Sequence, residues 1–288
     1  MPDGTATLPV ASLDTTLPET ASPDRTPAAW RRLRRQAAEV AAREPVLGAQ
    51  MRRAVLDRSD FADALAALLA AKLATADVTS DALHGLLSAL FAEEPVTVAT
   101  AATDLAASVD RNPAFPDELT GLLYAKGFHA LQTYRAAHVL WRRGRRELAV
   151  WLSAQANEVF AVDIHPAARI GAGVFIDHGT GVVIGETATV GHDSSMLHLV
   201  TLGGTGKDSG DRHPKVGRGV LIGAGATILG NVQVGDGARI GAGSVVLDRV
   251  PPRSTAVGVP AQLVRAHGDP APALSMSHVV PDGLDWSV

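Results

Sequence analysis

The chain reads as an α+β protein in two parts, a helical N-terminal domain followed by a parallel β-coil of six-residue repeats. Three observations predict this. Alanine and leucine dominate with helical spacing up to about Phe160. Of the 28 glycines, 22 lie beyond Val162. From Ile164 onward a branched aliphatic returns every sixth residue.

Residues 1–26 are rich in Thr, Pro, Ala and Asp and lack apolar periodicity, which predicts a disordered arm. Residues 27–160 form the predicted helical domain. Phe61, Ala64, Leu65, Leu68, Leu69 and Leu73 share one helix face. Ser80 and Asp81 precede the apolar run Leu83 to Phe91 as an N-cap should. Gly121 to Trp151 reads as a further helical run. The arginines at 31, 32, 34 and 35, and at 142, 143, 145 and 146, read as solvated helix faces.

The predicted coil spans residues 161–262. Its apolar positions are Ile164, Ile170 and Ile176; after a shift of two, Ile184, Val190, Met196 and Leu202; then Val216, Ile222, Ile228, Val234, Ile240 and Val246. A small or branched residue follows four places later, as at Ala168, Ala188, Ala226 and Ala238. Each hexad supplies one short strand and one corner of a three-sided coil, so about eighteen residues make one turn and stacked turns share a core. A strand meander has period two and does not repeat every six residues. Residues 203–215, GGTGKDSGDRHPK, break the rule and read as an extruded functional loop. Residues 263–288 read as a flexible tail.

The net charge of −4 gives no reason to expect a nucleic-acid partner. There is no cysteine, hence no thiolate metal site and no cysteine nucleophile. No run is apolar and long enough for a bilayer, and no secretory leader is evident, so a cytoplasmic enzyme is expected.

Histidine is the natural base near neutral pH. His178 lies where the repeat shifts by two, and Asp163 lies about one coil earlier, where stacking would let it orient the imidazole. Arg212 and His213 sit in the extruded loop, suited to a carboxylate. A trio of zinc-binding histidines is not met, because none follows His213 until His267.

Several motifs, in order and in both halves, resemble the bacterial and plant serine acetyltransferases. They are Lys126 to Gln132 (KGFHALQ), Asp163 to Ala168 (DIHPAA), Asp177-His178 with Thr180-Gly181, Val200 to Lys207 (VTLGGTGK), Gly210 to Lys215 (GDRHPK) and Gly258 to Ala261 (GVPA). The resemblance implies a left-handed parallel β-helix of hexapeptide repeats. It implies acetyl transfer from acetyl-CoA to the hydroxyl of L-serine, with no metal. It makes His178 the general base, Asp163 its orienting acid and Asp177 a serine contact. It places Arg212 and His213 on the substrate carboxylate, reaching into a neighbouring subunit. Gly204, Thr205, Ala224 and Ala242 would line the CoA channel. It further implies inhibition by L-cysteine and a homotrimer or a dimer of trimers.

Two departures stand out. Asn112 occupies a position where the family usually has aspartate thought to help hold the substrate ammonium. Asn112 keeps the hydrogen-bonding shape and loses the charge, which weakens such a bond roughly twofold. The tail ends in Val288, where members that dock into O-acetylserine sulfhydrylase end in isoleucine. Rival readings are a hexapeptide acetyltransferase for another hydroxyl acceptor such as homoserine, and an inactive scaffold. The presence of both Asp163 and His178 argues against the scaffold.

Overall fold

The computed structural model describes residues 25–206, 209–266 and 269–277. The expected N-terminal arm falls outside these except at its end, where Thr26 already opens a helix.

Among the described residues eight α-helices precede the coil: α1 (Thr26–Arg43), α2 (Gly48–Met51), α3 (Phe61–Leu73), α4 (Ser80–Glu93), α5 (Pro95–Arg111), α6 (Glu118–Tyr124), α7 (Lys126–Arg142) and α8 (Arg146–Phe160). Asp60 caps α3 by accepting from Asp63 N at 2.9 Å. The cap of α4 is Thr79, one residue before the expected Ser80, accepting from Ala82 N at 3.3 Å. The run Gly121 to Trp151 is not one helix. It breaks at the extended Ala125 and at Gly144, whose φ of 76° turns α7 back into α8. A left-handed residue, Ala161, then ends α8 and leads straight into the first strand.

The strands form three parallel faces. The first face holds β1 (Val162–Ile164), β4 (Val182–Ile184), β7 (Thr201–Gly203), β10 (Thr227–Leu229) and β13 (Val245–Val246). The second holds β2 (Arg169–Ile170), β5 (Thr189–Val190), β8 (Lys215–Val216) and β11 (Gln233–Val234). The third holds β3 (Phe175–Ile176), β6 (Ser195–Met196), β9 (Leu221–Ile222), β12 (Arg239–Ile240) and β14 (Ser254–Gly258), with β15 (Ala261–Ala266) antiparallel at its edge. The aliphatic ladder is the core: Ile164, Ile184, Leu202, Ile228 and Val246 stack on the first face and are all buried. Each such side chain contributes about 1.5–3 kcal/mol on burial.

The register locates both interruptions. Val162 pairs with Val182, 20 residues on, whereas Val183 pairs with Thr201, 18 on. The two extra residues sit in the turn at His178 and Gly179, with φ of 58° and 76°. Thr201 pairs with Thr227, 26 residues on, so the extruded loop adds eight. Gly203 and Lys215, the ends of the polar stretch, are strand residues.

The helices are bolted to the coil by buried polar contacts. Asp104, fully buried, accepts from Arg135 Nε at 2.7 Å, Gln132 Nε2 at 3.0 Å and Val174 N at 3.1 Å. Arg135 also donates to the carbonyls of Ile170 (3.2 Å) and Gly171 (2.7 Å). Removing either partner of such a pair costs about 3–5 kcal/mol. The N-terminus of α7 touches the coil at Gly127, where an added Cβ would lie 2.0 Å from Ile176 O. After β15 a single turn, α9 (Pro272–Ser275), covers the corner between the second and third faces, with Ala273 fully buried.

Candidate active site

Two corners of the first face carry the candidate chemistry. One joins the third face to the first. The turn Asp177 to Gly181 opens it, and successive corners stack on it: Leu199 N donates to Thr180 O (2.8 Å), Gly225 N to His198 O (2.9 Å) and Gly243 N to Ala224 O (2.8 Å). His178, His198, Ala224 and Ala242 therefore run up one edge, about 4.8 Å per coil. The small side chains of Ala224 and Ala242 leave the edge open above the two histidines.

His178 is 70% exposed and held by a left-handed backbone. Its Nε2 lies 3.6 Å from Asp177 Oδ2. The other oxygen, Asp177 Oδ1, accepts from Asn112 Nδ2 at 3.2 Å, and Asn112 Oδ1 accepts from Ala114 N at 2.9 Å. The His198 ring meets His178 edge-on, 5.7 Å between centroids. Lys126 Nζ donates to Thr180 Oγ1 in the same turn. Neither His198 nor Lys126 is marked as a site residue by its spacing in the sequence; both are set by how the helices and coils stack.

Strand register by itself does not bring Asp163 onto His178. It pairs with Val183, because the coil is 20 residues long here and His178 stands only 15 after Asp163. The turn at Gly179 packs against β1 all the same, since a Cβ on Gly179 would meet Val162 Cγ2 at 3.2 Å. The His165 ring feels the Asp163 charge. Burial pulls the His165 pKa below its ordinary value, while Glu186 and Asp163 oppose that shift.

The other corner joins the first face to the second and carries the extruded loop. His213 is buried, and its Nδ1 accepts from Thr187 N at 3.2 Å, which leaves the proton of the neutral ring on Nε2. Thr187 Oγ1 accepts from the backbone of both Arg212 (3.0 Å) and His213 (3.1 Å). Burial lowers the His213 pKa, and the cations Arg212 and Lys215 lower it further. Arg212 Nη2 pairs with Glu186 Oε2 at 2.8 Å, and that hydrogen bond holds the Glu186 carboxyl below its usual range. Gly185 is the signal that sequence reasoning passed over: a Cβ there would sit 2.1 Å from His213 Nε2. Gly204 packs beside Arg212 and His213, and Thr205 lies against Gly230.

Within one chain the expected site residues thus fall into two groups. Asn112, Asp177, His178, Ala224 and Ala242 share one edge; Gly204, Thr205, Arg212 and His213 share the other. From Thr180 to Glu186 the face is six residues wide, at most about 20 Å. Among the described residues no group of three or more histidines and carboxylates is poised for a metal.

Known proteins decide what these edges belong to. Residues 29–133 match the model for the N-terminal domain of serine acetyltransferase, and residues 213–248 match the bacterial transferase hexapeptide model (six repeats). A Salmonella typhimurium serine acetyltransferase is 49% identical over 247 residues, covering 86% of this chain and 90% of the relative. The chain belongs to the serine acetyltransferase family. It is therefore an acyltransferase, and its coil is the left-handed β-helix of hexapeptide repeats. The Vibrio cholerae serine acetyltransferase structure superposes with a TM-score of 0.87 at 47% identity, covering 88% of this chain and 98% of that one. A soybean serine acetyltransferase structure in complex with serine gives 0.82 at 50% identity, covering 84% and 100%. A Brucella abortus one in complex with coenzyme A gives 0.82 at 45%, covering 84% and 97%.

Proposed function

We propose that this chain transfers the acetyl group of acetyl-CoA to the hydroxyl of L-serine, giving O-acetyl-L-serine and CoA, the first step from serine to cysteine, at a site completed between two copies. The observation that carries this reading is the split of the expected residues between two edges of one face. Two copies packed edge to edge bring a base-and-carboxylate half against a guanidinium-and-imidazole half. A homotrimer closes such contacts, and a dimer of trimers pairs the helical domains.

In this reading His178 Nε2 takes the proton of the serine hydroxyl as the oxygen attacks the thioester carbonyl. The tetrahedral oxyanion collapses, the C–S bond breaks, and the imidazolium returns the proton to the leaving CoA thiolate. Attack is direct, without an acyl-enzyme, and the absence of cysteine is consistent with that. Asp177 faces the substrate ammonium, and Asp163 orients the imidazole of His178. Arg212 and His213 of the neighbouring copy bind the substrate carboxylate. The thioester lies at His178 and the rest of CoA runs along Ala224 and Ala242, with Gly204 and Thr205 of the neighbour as the opposite wall.

A solved serine acetyltransferase in complex with cysteine superposes with a TM-score of 0.86 at 46% identity, covering 88% of this chain and 98% of that one. It supports L-cysteine as an inhibitor that competes for the acceptor site here. A cytoplasmic location is proposed on the sequence; no described helix is long and apolar enough to cross a membrane. Docking of the terminal peptide ending in Val288 to O-acetylserine sulfhydrylase is proposed on its composition, and that peptide lies outside the described residues.

The test is release of free CoA thiol from acetyl-CoA and L-serine, read with a thiol-reactive dye, beside His178→Ala and wells with homoserine or threonine. Serine-dependent release that collapses in His178→Ala supports the reading. Release with homoserine alone would replace the acceptor, and no release with any acceptor would overturn it.

A further inference from the structure

The end of α5 is fixed by a side chain that the reaction does not use. Arg111 is 8% exposed and reaches 82 to 84 residues along the chain to the second corner of the third face. Its Nη1 donates to Ser194 O at 3.3 Å and to Ser195 Oγ at 3.0 Å, and its Nη2 lies 3.5 Å from Asp193 Oδ1. Burial pulls its pKa down, and Asp193 and Asp104 oppose that pull. Ser195 Oγ accepts from Arg111 and so directs its one proton to Ala273 O, 3.0 Å away in the C-terminal turn. Its hydroxyl geometry is therefore fixed from both sides.

The next residue is Asn112, where the chain leaves the helix with φ −124° and ψ 105°. Its amide reaches Asp177 Oδ1, and the other oxygen of Asp177 faces His178. The peptide between Arg111 and Asn112 is one rigid unit. A guanidinium held by three acceptors on coil residues 193–195 therefore sets where the Asn112 amide stands against the turn at residue 177. The long reach is stabilising because several bonds share one planar group; a lysine offers no such fork.

We propose that Arg111 is a positioning residue for the acceptor site, acting through Asn112 on Asp177, with Ser195 as the anchor that orients it. Asn112 and Asp177 are the acceptor's ammonium side in the reading above, on which this inference rests. The effect is thus directed at the acceptor and leaves the CoA edge at Ala224 and Ala242 untouched.

The experiment is steady-state kinetics of the full chain, with serine and acetyl-CoA varied in turn, for wild type, Arg111→Gln, Arg111→Lys, Ser195→Ala and Arg111→Gln/Ser195→Ala. Wild-type release with serine establishes the reaction independently; its absence sinks the function and not merely this inference. Arg111→Gln is expected to raise the serine KM about tenfold, the loss of one charge-assisted bond, with the acetyl-CoA KM within about twofold of wild type. Arg111→Lys restores less than half of that loss. Ser195→Ala raises the serine KM about threefold, and the double variant is no worse than Arg111→Gln, because both act on one contact. An unchanged serine KM with kcat lowered in step with the folded fraction would mean a structural bolt only and overturn the proposal. Where Arg111→Gln does not fold, Ser195→Ala decides alone: a serine KM equal to wild type overturns it.

Discussion

Asn112 Nδ2 donates to Asp177 Oδ1 at 3.2 Å, joining the end of α5 to the turn that carries His178. A neutral donor here uses one oxygen of the Asp177 carboxylate. In Asn112→Asp two carboxylate oxygens would face each other at that separation. Like charges so close repel unless a cation lies between them. The substrate ammonium is such a cation. Asn112→Asp is therefore expected to lower the serine KM about three- to tenfold, more strongly at low ionic strength, and to lower the melting temperature when serine is absent. Kinetics at two salt concentrations and a thermal scan with and without serine check this. A serine KM that does not fall would mean that Asp177 already meets the ammonium fully.

That contact shows where the sequence stops being legible. The coil could be read directly, because a six-residue period states which side chain points inward in every strand. The shift at Ile184 was also visible, and it is the His178–Gly179 turn. Legibility ended where the interruptions changed the register. Asp163 pairs with Val183 across a 20-residue coil, a register that the six-residue period alone does not state. The packing of α5 and α7 on the coil left no periodic trace. Asn112–Asp177, Arg111–Ser195 and Asp104–Arg135 each join residues tens of positions apart through side chains that have no fixed spacing. Gly185 and Gly127 carried a readable signal of another kind, a glycine kept where the backbone must be approached closely.

Gly127 offers a direct test of that signal. A Cβ added there would sit 2.0 Å from Ile176 O and 2.9 Å from Ile176 C, both backbone atoms that no side-chain rotation can clear. Gly127→Ala must push α7 away from the strand that leads into Asp177 and His178. We expect a loss of about 2–4 kcal/mol in stability, the scale of overpacking and strain. We also expect kcat to fall at least tenfold in the protein that remains folded. Denaturant melts and active-fraction-corrected kinetics measure the two effects. Near-wild-type values of both would mean that the helical layer is free to slide on the coil.

The division of the site between two edges predicts complementation. His178→Ala damages one edge and Arg212→Ala the other, and each homo-oligomer is expected to lose at least a hundredfold in activity. Co-refolded or co-expressed, the two variants form mixed oligomers in which some interfaces pair an intact His178 edge with an intact Arg212 edge. Activity should return to about a quarter of wild type per random interface, by the two-edge statistics of symmetric assemblies. Mixing after folding, without subunit exchange, should restore nothing. If mixed oligomers stay as inactive as their parents, each site is built within a single chain.

The pH dependence of stability follows from His129. Its ring is 2% exposed, and Nε2 donates to Leu122 O at 2.7 Å. Burial lowers its pKa from 6.5 to about 4. The folded chain thus keeps this imidazole neutral while the unfolded chain binds a proton below pH 6.5. Between those two values the unfolded state holds more protons, so stability rises with pH. The contribution is fully present above about pH 6.5 and is lost as the pH falls toward 4, by about 3 kcal/mol at about 1.4 kcal/mol per unit. Burial shifts His138, His165, His192 and His213 in the same direction, which adds to the slope. His129→Gln keeps a donor for Leu122 O and cannot titrate. Urea melts from pH 7 to pH 4.5 should show wild type losing stability steeply and His129→Gln losing clearly less. Parallel slopes would mean that water or a backbone shift reaches His129 and lets it charge within the fold.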